Sequence, residues 1–165
     1  MAITANGMIA KEDGNSDWVS DADNKSWKEI CQKAGAVIMG RKTLEILYPD
    51  SLPLKRGKHV VLSHHLKTVD NPTVTFTDQS ITDILANLEK SGLHQVCVIG
   101  GQMTATEFMS SSLVDEIYLD VEPLIFGKGM GLFSVSNFEF SLELLEVKNL
   151  SPQTVQLHYK VIQSS

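Results

Sequence analysis

The sequence predicts a three-layer α/β domain whose mostly parallel central sheet ends in an antiparallel C-terminal hairpin. Three observations predict it. Strand and helix patterns alternate through the first two thirds of the chain. The last third alternates like strands and has no long helix. The 165 residues fit one domain and contain no repeat or linker. We therefore expect a single domain over residues 1–165, with helices on both faces of the sheet.

Each element is predicted from its own local signal. Apolar runs predict parallel strands at 2–5, 36–39, 58–62, 73–76 and 95–99. Alternation predicts antiparallel strands at 114–122, 138–147 and 154–162. Ser20 is a predicted N-cap of a helix that ends near residue 34, before Gly35. Further helices are expected to open near Thr43 and after the N-caps Ser80 and Thr104.

The composition favours a soluble cytoplasmic protein that binds neither nucleic acid nor membrane. The formal net charge is -6 and no basic run offsets it, which is unfavourable for a phosphate backbone. No apolar run approaches the roughly 20 residues of a membrane span, and no secretory signal precedes the first strand. Cys31 and Cys97 are far apart in the sequence and are predicted to be core residues. The histidines do not show the spacing of metal ligands, so no metal site is expected.

Glycine follows two predicted strands at the point where a helix begins. Gly40 follows the strand at 36–39, and Gly100-Gly101 follow the strand at 95–99. Glycine lets the backbone approach a ligand closely, and the N–H groups of the next helix favour anions. Two such junctions in one small chain indicate a ligand with several phosphates, such as a dinucleotide. Neither junction is a GxGxxG or Walker sequence.

Basic and hydroxyl side chains accompany the first junction. Arg41 and Lys42 follow Gly40, and Ser63 and His64 end the next strand. These groups suit a 2'-phosphate, which would favour NADP over NAD. The alternative interpretation is a pair of solvated surface charges.

Asp23 is the most informative acid of the chain. It stands three residues after Ser20, which is the acidic position of a structural capping box. It also shares a helix face with Trp27 and Ile30, at spacings i, i+4 and i+7. A carboxylate at the edge of an apolar cleft would be desolvated, and its pKa would rise toward a value suited to proton delivery. The pattern alone leaves both interpretations open.

Four motifs in register resemble the dihydrofolate reductase family. They are VIMGRKT at 37–43, Trp18 followed by Asp23 and Trp27, the strand KHVVLS at 58–63, and VIGG at 98–101. The resemblance implies the three-layer dihydrofolate-reductase-like fold and hydride transfer from NADPH to 7,8-dihydrofolate, giving tetrahydrofolate.

The resemblance also implies roles for individual residues. Asp23 would be the active-site acid, and Trp18 would lie near the nicotinamide and share in catalysis. Further substrate contacts are implied at Trp27, Ile30, Leu47, Leu52, Arg56, Ile99 and Asp120. Cofactor contacts are implied at Ala2, Ile9, Gly40, Arg41, Lys42, Thr43, Leu62, Ser63, His64, Ile99, Gly100, Gly101, Gln102, Met103 and Thr104.

Three positions depart from that family's pattern. In that family an arginine binds the glutamate tail of folate, and Arg56 is offset by one or two residues from the position of that arginine. Asp120 replaces a threonine that supports the acid, and two nearby carboxylates would raise one pKa strongly. Gln102 and Met103 replace a glycine and a basic residue of the cofactor loop.

A second branch of the superfamily competes for the function. LVDEI at 113–117, Pro123 and GKGMGLF at 127–133 resemble the pyrimidine reductases of riboflavin biosynthesis, which use NADPH on a ribosylamino-pyrimidine phosphate. That resemblance implies a possible homodimer through the C-terminal hairpin. A third hypothesis is a non-catalytic nucleotide-binding relative. The spacing of Trp18, Asp23 and Trp27 and the complete MGRKT motif favour dihydrofolate over the pyrimidine. Both glycine junctions, Arg41 and Asp23 favour an enzyme over the non-catalytic relative.

Overall fold

The computed structural model describes residues 1–65 and 69–162. Its contacts group the chain into two compact units, which are described separately here. The first unit comprises Met1–Trp27 and Ala105–Ser165, and the second comprises Lys28–Thr104. The mixed α/β fold class is confirmed, since parallel strands alternate with helices and antiparallel strands follow the last helix. The single domain over residues 1–165 stays a prediction.

Ten strands and four helices are assigned in the described residues. The strands are β1 Ala2–Thr4, β2 Met8–Ala10, β3 Ala36–Gly40, β4 Lys58–Leu62, β5 Val74–Thr77, β6 Cys97–Val98, β7 Glu116–Glu122, β8 Met130–Gly131, β9 Ser141–Asn149 and β10 Val155–Ile162. The helices are α1 Asp21–Ala34, α2 Arg41–Leu47, α3 Ile81–Lys90 and α4 Gln102–Ser110. Helix α1 begins in the first unit and ends in the second, whereas α4 runs from the second into the first. Within the described ranges, no helix is long and apolar enough to cross a membrane.

The second unit is built on a parallel four-stranded sheet in the order β5-β4-β3-β6. Strand β3 is the interior strand with the most continuous apolar run, and its first four residues are buried. Such a run is typical of a parallel strand covered on both faces. Gly40 pairs with Leu62, so β3 and β4 end at the same level. This register brings the turns after both strands to one edge of the sheet.

A buried histidine fixes the loop between α2 and β4. His59 is completely buried in β4, and its Nε2 accepts a hydrogen bond from the Leu54 N–H at 3.0 Å. Burial lowers the pKa of His59, which keeps the ring neutral and able to accept this bond. The loop therefore has a fixed anchor, and Leu52 within it is also completely buried.

The first unit is built on a mixed four-stranded sheet in the order β1-β7-β10-β9. Strand β1 is parallel to β7, while β7, β10 and β9 are antiparallel neighbours. The predicted antiparallel C-terminal hairpin is thus confirmed as β9 and β10. A small second sheet pairs β2 with β8. The sequence analysis missed both of its strands, because segments of two and three residues carry no periodicity.

Two local predictions are wrong. The buried strand expected at 95–99 is only Cys97–Val98, and both residues are half-buried, because this edge strand pairs with β3 alone. Thr104 is not an N-cap. Helix α4 begins two residues earlier, at Gln102, immediately after the turn at Gly100 and Gly101, so Thr104 lies inside the helix and is buried.

Candidate active site

Ser20 is the N-cap of α1, as predicted. The carboxylate that accepts hydrogen bonds from Ser20 is, however, not that of Asp23. The Asp23 N–H donates to Ser20 Oγ at 3.2 Å, which is an N-cap. In a capping box the Asp23 carboxylate would accept the Ser20 N–H in return. Instead, Ser20 N and Oγ both donate to Glu122 Oε1, at 3.2 and 2.6 Å. The capping-box interpretation of Asp23 is therefore wrong, because Glu122 already takes that bond.

Glu122 is a structural acid that sequence reasoning missed. It is buried at the end of β7, and its second oxygen accepts a hydrogen bond from Thr154 Oγ1 at 3.0 Å. Both of its oxygens are thus hydrogen-bonded. A signal was present in the sequence: Asp120 and Glu122 are two residues apart in a strand, so they face the same side.

Asp120 lies on the central strand of this sheet and is 1% exposed. It is paired in register with Ala2 on one side and with Gln156 on the other. The Gln156 amide donates to Asp120 Oδ1 at 2.7 Å and to Ser26 Oγ of α1 at 2.8 Å. The amide therefore holds the Asp120 carboxylate against the helix that carries Asp23.

Asp23 is 2% exposed, and its Oδ1 has no hydrogen-bond partner within the described part of the chain. Burial is the largest cause that raises the pKa of Asp23 from 3.8 to about 8. A hydrogen bond with Asp120 and the negative charges of Asp120 and Glu122 raise this pKa further, while the amino group of Met1 opposes them. Asp23 is therefore a protonated, buried acid at neutral pH with one oxygen available to a ligand.

Trp18 supplies an unpartnered donor in the same unit. Its ring packs edge-on against Phe126, with 5.5 Å between ring centroids. Its Nε1 is buried and makes no hydrogen bond to any described residue. Buried N–H groups normally have a partner, so this donor also fits a bound ligand. Trp27, four residues after Asp23 on α1, is half-buried and donates from Nε1 to Asn24 Oδ1.

The two predicted glycine junctions come together in the second unit. The Gly40 N–H donates to the Gly100 carbonyl at 2.9 Å. A Cβ on Gly40 would lie 3.1 Å from Thr104 Oγ1, and one on Gly101 would lie 3.6 Å from Thr43 Oγ1. We call Gly40, Thr43, Gly101 and Thr104 the glycine cradle. The hydroxyls of Thr43 and Thr104 and the N–H groups at the start of α4 are hydrogen-bond donors that suit an anionic group. The two glycines place no side chain between these donors and a ligand.

The other predicted cofactor contacts are placed as follows. The Arg41 guanidinium pairs with Glu45 on its own helix at 2.6 Å. Ser63 Oγ donates to the His65 carbonyl and accepts from the His65 N–H. Exposed residues are Lys42, His64 and Met103, and half-buried ones are Leu62, Ile99 and Gln102, all in the second unit. Ala2 and Ile9 are half-buried in the first unit.

The predicted substrate contacts are divided between the units. Asp23, Trp27 and Asp120 lie in the first, and Ile30, Leu47, Leu52, Arg56 and Ile99 lie in the second. Ile30 and Leu47 are half-buried, whereas Leu52 is completely buried.

Arg56 lines a cleft of about 330 Å³ in the second unit, together with Glu29, Gln32, Lys33 and Lys55. Glu29, Gln32 and Lys33 share one face of α1 because they are spaced i, i+3 and i+4. Three cationic side chains and one carboxylate favour an anion in this cleft. Sequence reasoning found Arg56 but missed Lys33, since only the fold brings the end of α1 beside the 55–56 loop.

Comparison with known proteins identifies the family. The sequence matches the family described as RibD C-terminal domain over residues 1–156. This chain belongs to the RibD C-terminal domain family. It is 30% identical to the uncharacterized protein YwjB of Bacillus subtilis (strain 168), covering 96% of this chain and 94% of that protein. It is 26% identical to the riboflavin biosynthesis protein RibD of Corynebacterium ammoniagenes, covering 81% of this chain and 44% of RibD.

Two further likenesses connect this RibD C-terminal domain to the predicted superfamily. Over 66% of its length it is 31% identical to the bifunctional dihydrofolate reductase-thymidylate synthase of Zea mays, of which the match covers 23%. Its fold is similar to that of a pyrimidine reductase-like protein from Corynebacterium diphtheriae, with a TM-score of 0.83, 18% identity and coverage of 99% and 90% of the two chains. The resemblance to dihydrofolate reductases is confirmed at the level of the superfamily.

Replacement of Asp23 by asparagine should change how stability depends on pH. The folded pKa of about 8 lies above the ordinary 3.8, so the folded chain binds more protons than the unfolded chain between these values. The contribution of Asp23 to stability is thus fully present below about pH 4 and is lost as the pH rises through about 8. Asp23→Asn removes this loss. The free energy of unfolding of Asp23→Asn, minus that of the parent, should rise by on the order of 4 kcal/mol between pH 5 and pH 9.

Denaturant titrations at the two pH values measure this difference. Asp21→Asn, an exposed change in the same turn of α1, is the matched control and should follow the parent. A difference between Asp23→Asn and the parent that is the same at both pH values contradicts the prediction.

Proposed function

We propose that this chain is an NADPH-dependent reductase that acts on a ribosylamino-pyrimidine phosphate. Its membership of the RibD C-terminal domain family and its likeness to a pyrimidine reductase-like protein support this choice. The single observation that carries the proposal is Asp23, a buried carboxyl with a raised pKa and an unpartnered oxygen. Such a group is typical of an acid that delivers a proton.

The residues that would hold NADPH fit its chemistry. In the glycine cradle, the lack of a side chain at Gly40 lets Thr104 Oγ1 lie close to the backbone, and Thr43 Oγ1 lies near Gly101. These two hydroxyls would donate to phosphate oxygens. The unpartnered Nε1 of Trp18 would donate to an acceptor on the nicotinamide or the substrate. NADPH, when bound, supplies a hydride. The protein supplies binding, orientation and the proton.

Asp23 would hold and deliver that proton. Reduction of a C=N bond adds a hydride to carbon and a proton to nitrogen, and it leaves NADP⁺ as the oxidised product. A carboxyl that stays protonated up to about pH 8 can give its proton to the nitrogen at neutral pH and regain one from water afterwards. The unpartnered Oδ1 would also accept a hydrogen bond from a ring N–H, which orients the substrate.

Dihydrofolate is the second candidate substrate. The spacing of Trp18, Asp23 and Trp27 and the match to a dihydrofolate reductase-thymidylate synthase favour it. The family match covers residues 1–156 and therefore favours the pyrimidine, the alternative of the sequence analysis. A non-catalytic nucleotide binder would have no use for a buried acid with an open oxygen, so we place this hypothesis last.

Turnover tests the proposal directly. Absorbance at 340 nm should fall when protein, NADPH and the ribosylamino-pyrimidine phosphate are all present. Asp23→Asn should lower kcat by about 10²-fold or more, because the proton donor is lost, while NADPH affinity changes little. Asp21→Asn is the matched control. If the absorbance falls with 7,8-dihydrofolate and not with the pyrimidine, dihydrofolate is the substrate and the pyrimidine proposal is wrong. Binding of NADPH without turnover of either compound would overturn the proposal that the chain is a reductase.

The cationic cleft predicts how the substrate phosphate is held. We propose that Lys33, Lys55 and Arg56 bind this phosphate. Arg56→Gln should raise KM about tenfold and leave kcat nearly unchanged, because a phosphate contact is made alike in the ground state and the transition state. Lys90→Gln, at the exposed end of α3, is the control. The same rise in KM with a dephosphorylated substrate would contradict the assignment.

We also propose that two copies of the chain associate through β9. This strand lies at the edge of its sheet, and all nine of its residues are exposed, including Leu142, Leu144, Leu145 and Val147. An open apolar edge is normally covered. Two-fold antiparallel pairing centred between residues 145 and 146 would set Glu143 opposite Lys148 of the second copy, so the edge is complementary to itself.

Light scattering after size exclusion measures the association. The parent should elute as a dimer at micromolar concentration, and Leu144→Glu should elute as a monomer, because it places a charge in the apolar edge. Val135→Glu, at an exposed apolar residue outside β9, is the control. A parent that is monomeric at about 100 μM would contradict the proposal.

A further inference from the structure

Two buried carboxyls of the first unit, Asp23 on α1 and Asp120 on β7, have different surroundings. Hydrogen bonds join α1 to β7 on both sides of Asp23, since Ser20 bonds Glu122 and Ser26 shares the Gln156 amide with Asp120. Asp120 Oδ1 accepts a hydrogen bond from the Gln156 amide, and that amide also bonds Ser26. Asp23 Oδ1 has no hydrogen-bond partner among the described residues, and a hydrogen bond with Asp120 is one of the causes that raise the pKa of Asp23. Two carboxyls can form such a bond only when one of them carries a proton.

The hydrogen bonds indicate which of the two is ionised. An amide N–H donor stabilises a carboxylate, and Asp120 has that donor. Asp23 has no such donor on Oδ1, and burial disfavours its charge. The proton therefore belongs on Asp23.

The charges that face this pair come from two strands. Glu122 lies on β7 with Asp120, and its negative charge disfavours a second ionisation. The amino group of Met1, at the start of β1, acts in the opposite direction. Glu122 is already bonded to Ser20 and Thr154, so it does not compete for the proton.

We propose that Asp120 is a positioning residue that keeps the proton on Asp23, and that the two carboxyls share a single proton with Asp120 as the fixed anion. Gln156 holds Asp120 in place, and Oδ1 of Asp23 has no partner among the described residues. This inference rests on the proposed function and deepens it, since it states what keeps the acid of the reductase protonated. It does not depend on the substrate.

Carbon-13 NMR of protein labelled at the aspartate carboxyl tests the pair without any turnover. The Asp23 resonance, identified by its loss in Asp23→Asn, should titrate near pH 8 in the parent. In Asp120→Asn its midpoint should fall by about one pH unit or more, because a neighbouring anion is replaced by an amide that can donate to the ionised Asp23. Asp115→Asn, an exposed change just before β7, is the control and should leave the midpoint in place. A midpoint that stays at its parent value in Asp120→Asn would overturn the inference.

A second measurement applies if Asp120→Asn does not fold. In the parent, the Asp120 resonance should respond to the ionisation of Asp23, and in Asp23→Asn that response should vanish. A response that persists in Asp23→Asn would show that the two carboxyls do not share a proton. In kinetic experiments, the alkaline limit of kcat should shift to lower pH in Asp120→Asn, with KM at pH 6 little changed. Absence of turnover on every substrate would end the proposed function and leave the NMR result to decide on the shared proton.

Discussion

The structure of the first unit depends on how it accommodates three buried carboxyls, two on one face of β7 and one on α1. A buried carboxylate is costly unless hydrogen bonds replace its water. Glu122 receives donors on both oxygens and Asp120 receives an amide on one. Asp23 receives none on Oδ1 and stays protonated instead. The three acids thus differ in function because they differ in the number of donors that reach them, and only the least satisfied one is suited to chemistry.

The same hydrogen bonds connect elements that are distant in the sequence. Ser20 caps α1 and at the same time donates to Glu122 on β7, so the helix start is fixed to the centre of the sheet. Thr154, just before β10, bonds the other oxygen of Glu122. Gln156, two residues further on, bonds both β7 and α1. The position of Asp23 is therefore determined by side chains of the C-terminal hairpin as much as by its own helix.

Much of this arrangement could be predicted from the sequence, and the exceptions have physical reasons. Strand β4 and the end of α1 at Ala34 are read from apolar runs and caps, which are local signals. The glycine junctions were also visible, because glycine lets the backbone after a strand approach a ligand closely. The hydrogen bonds on either side of Asp23 were not, since Glu122 bonds Ser20 and Gln156 bonds Ser26 across more than 100 residues of sequence. Lys33 joins Arg56 for the same reason, through folding and not through spacing.

The pairing of Arg41 with Glu45 has a consequence for any anion that Arg41 binds. The guanidinium already holds a carboxylate 2.6 Å away, one helical turn along α2. The guanidinium has five N–H donors, so it can bind a phosphate while it holds Glu45, but the negative charge of Glu45 then lies beside the phosphate. This repulsion lowers the affinity that Arg41 adds. The discrimination between phosphorylated and unphosphorylated ribose would depend on Glu45 as much as on Arg41, and a neutral side chain at position 45 would sharpen it.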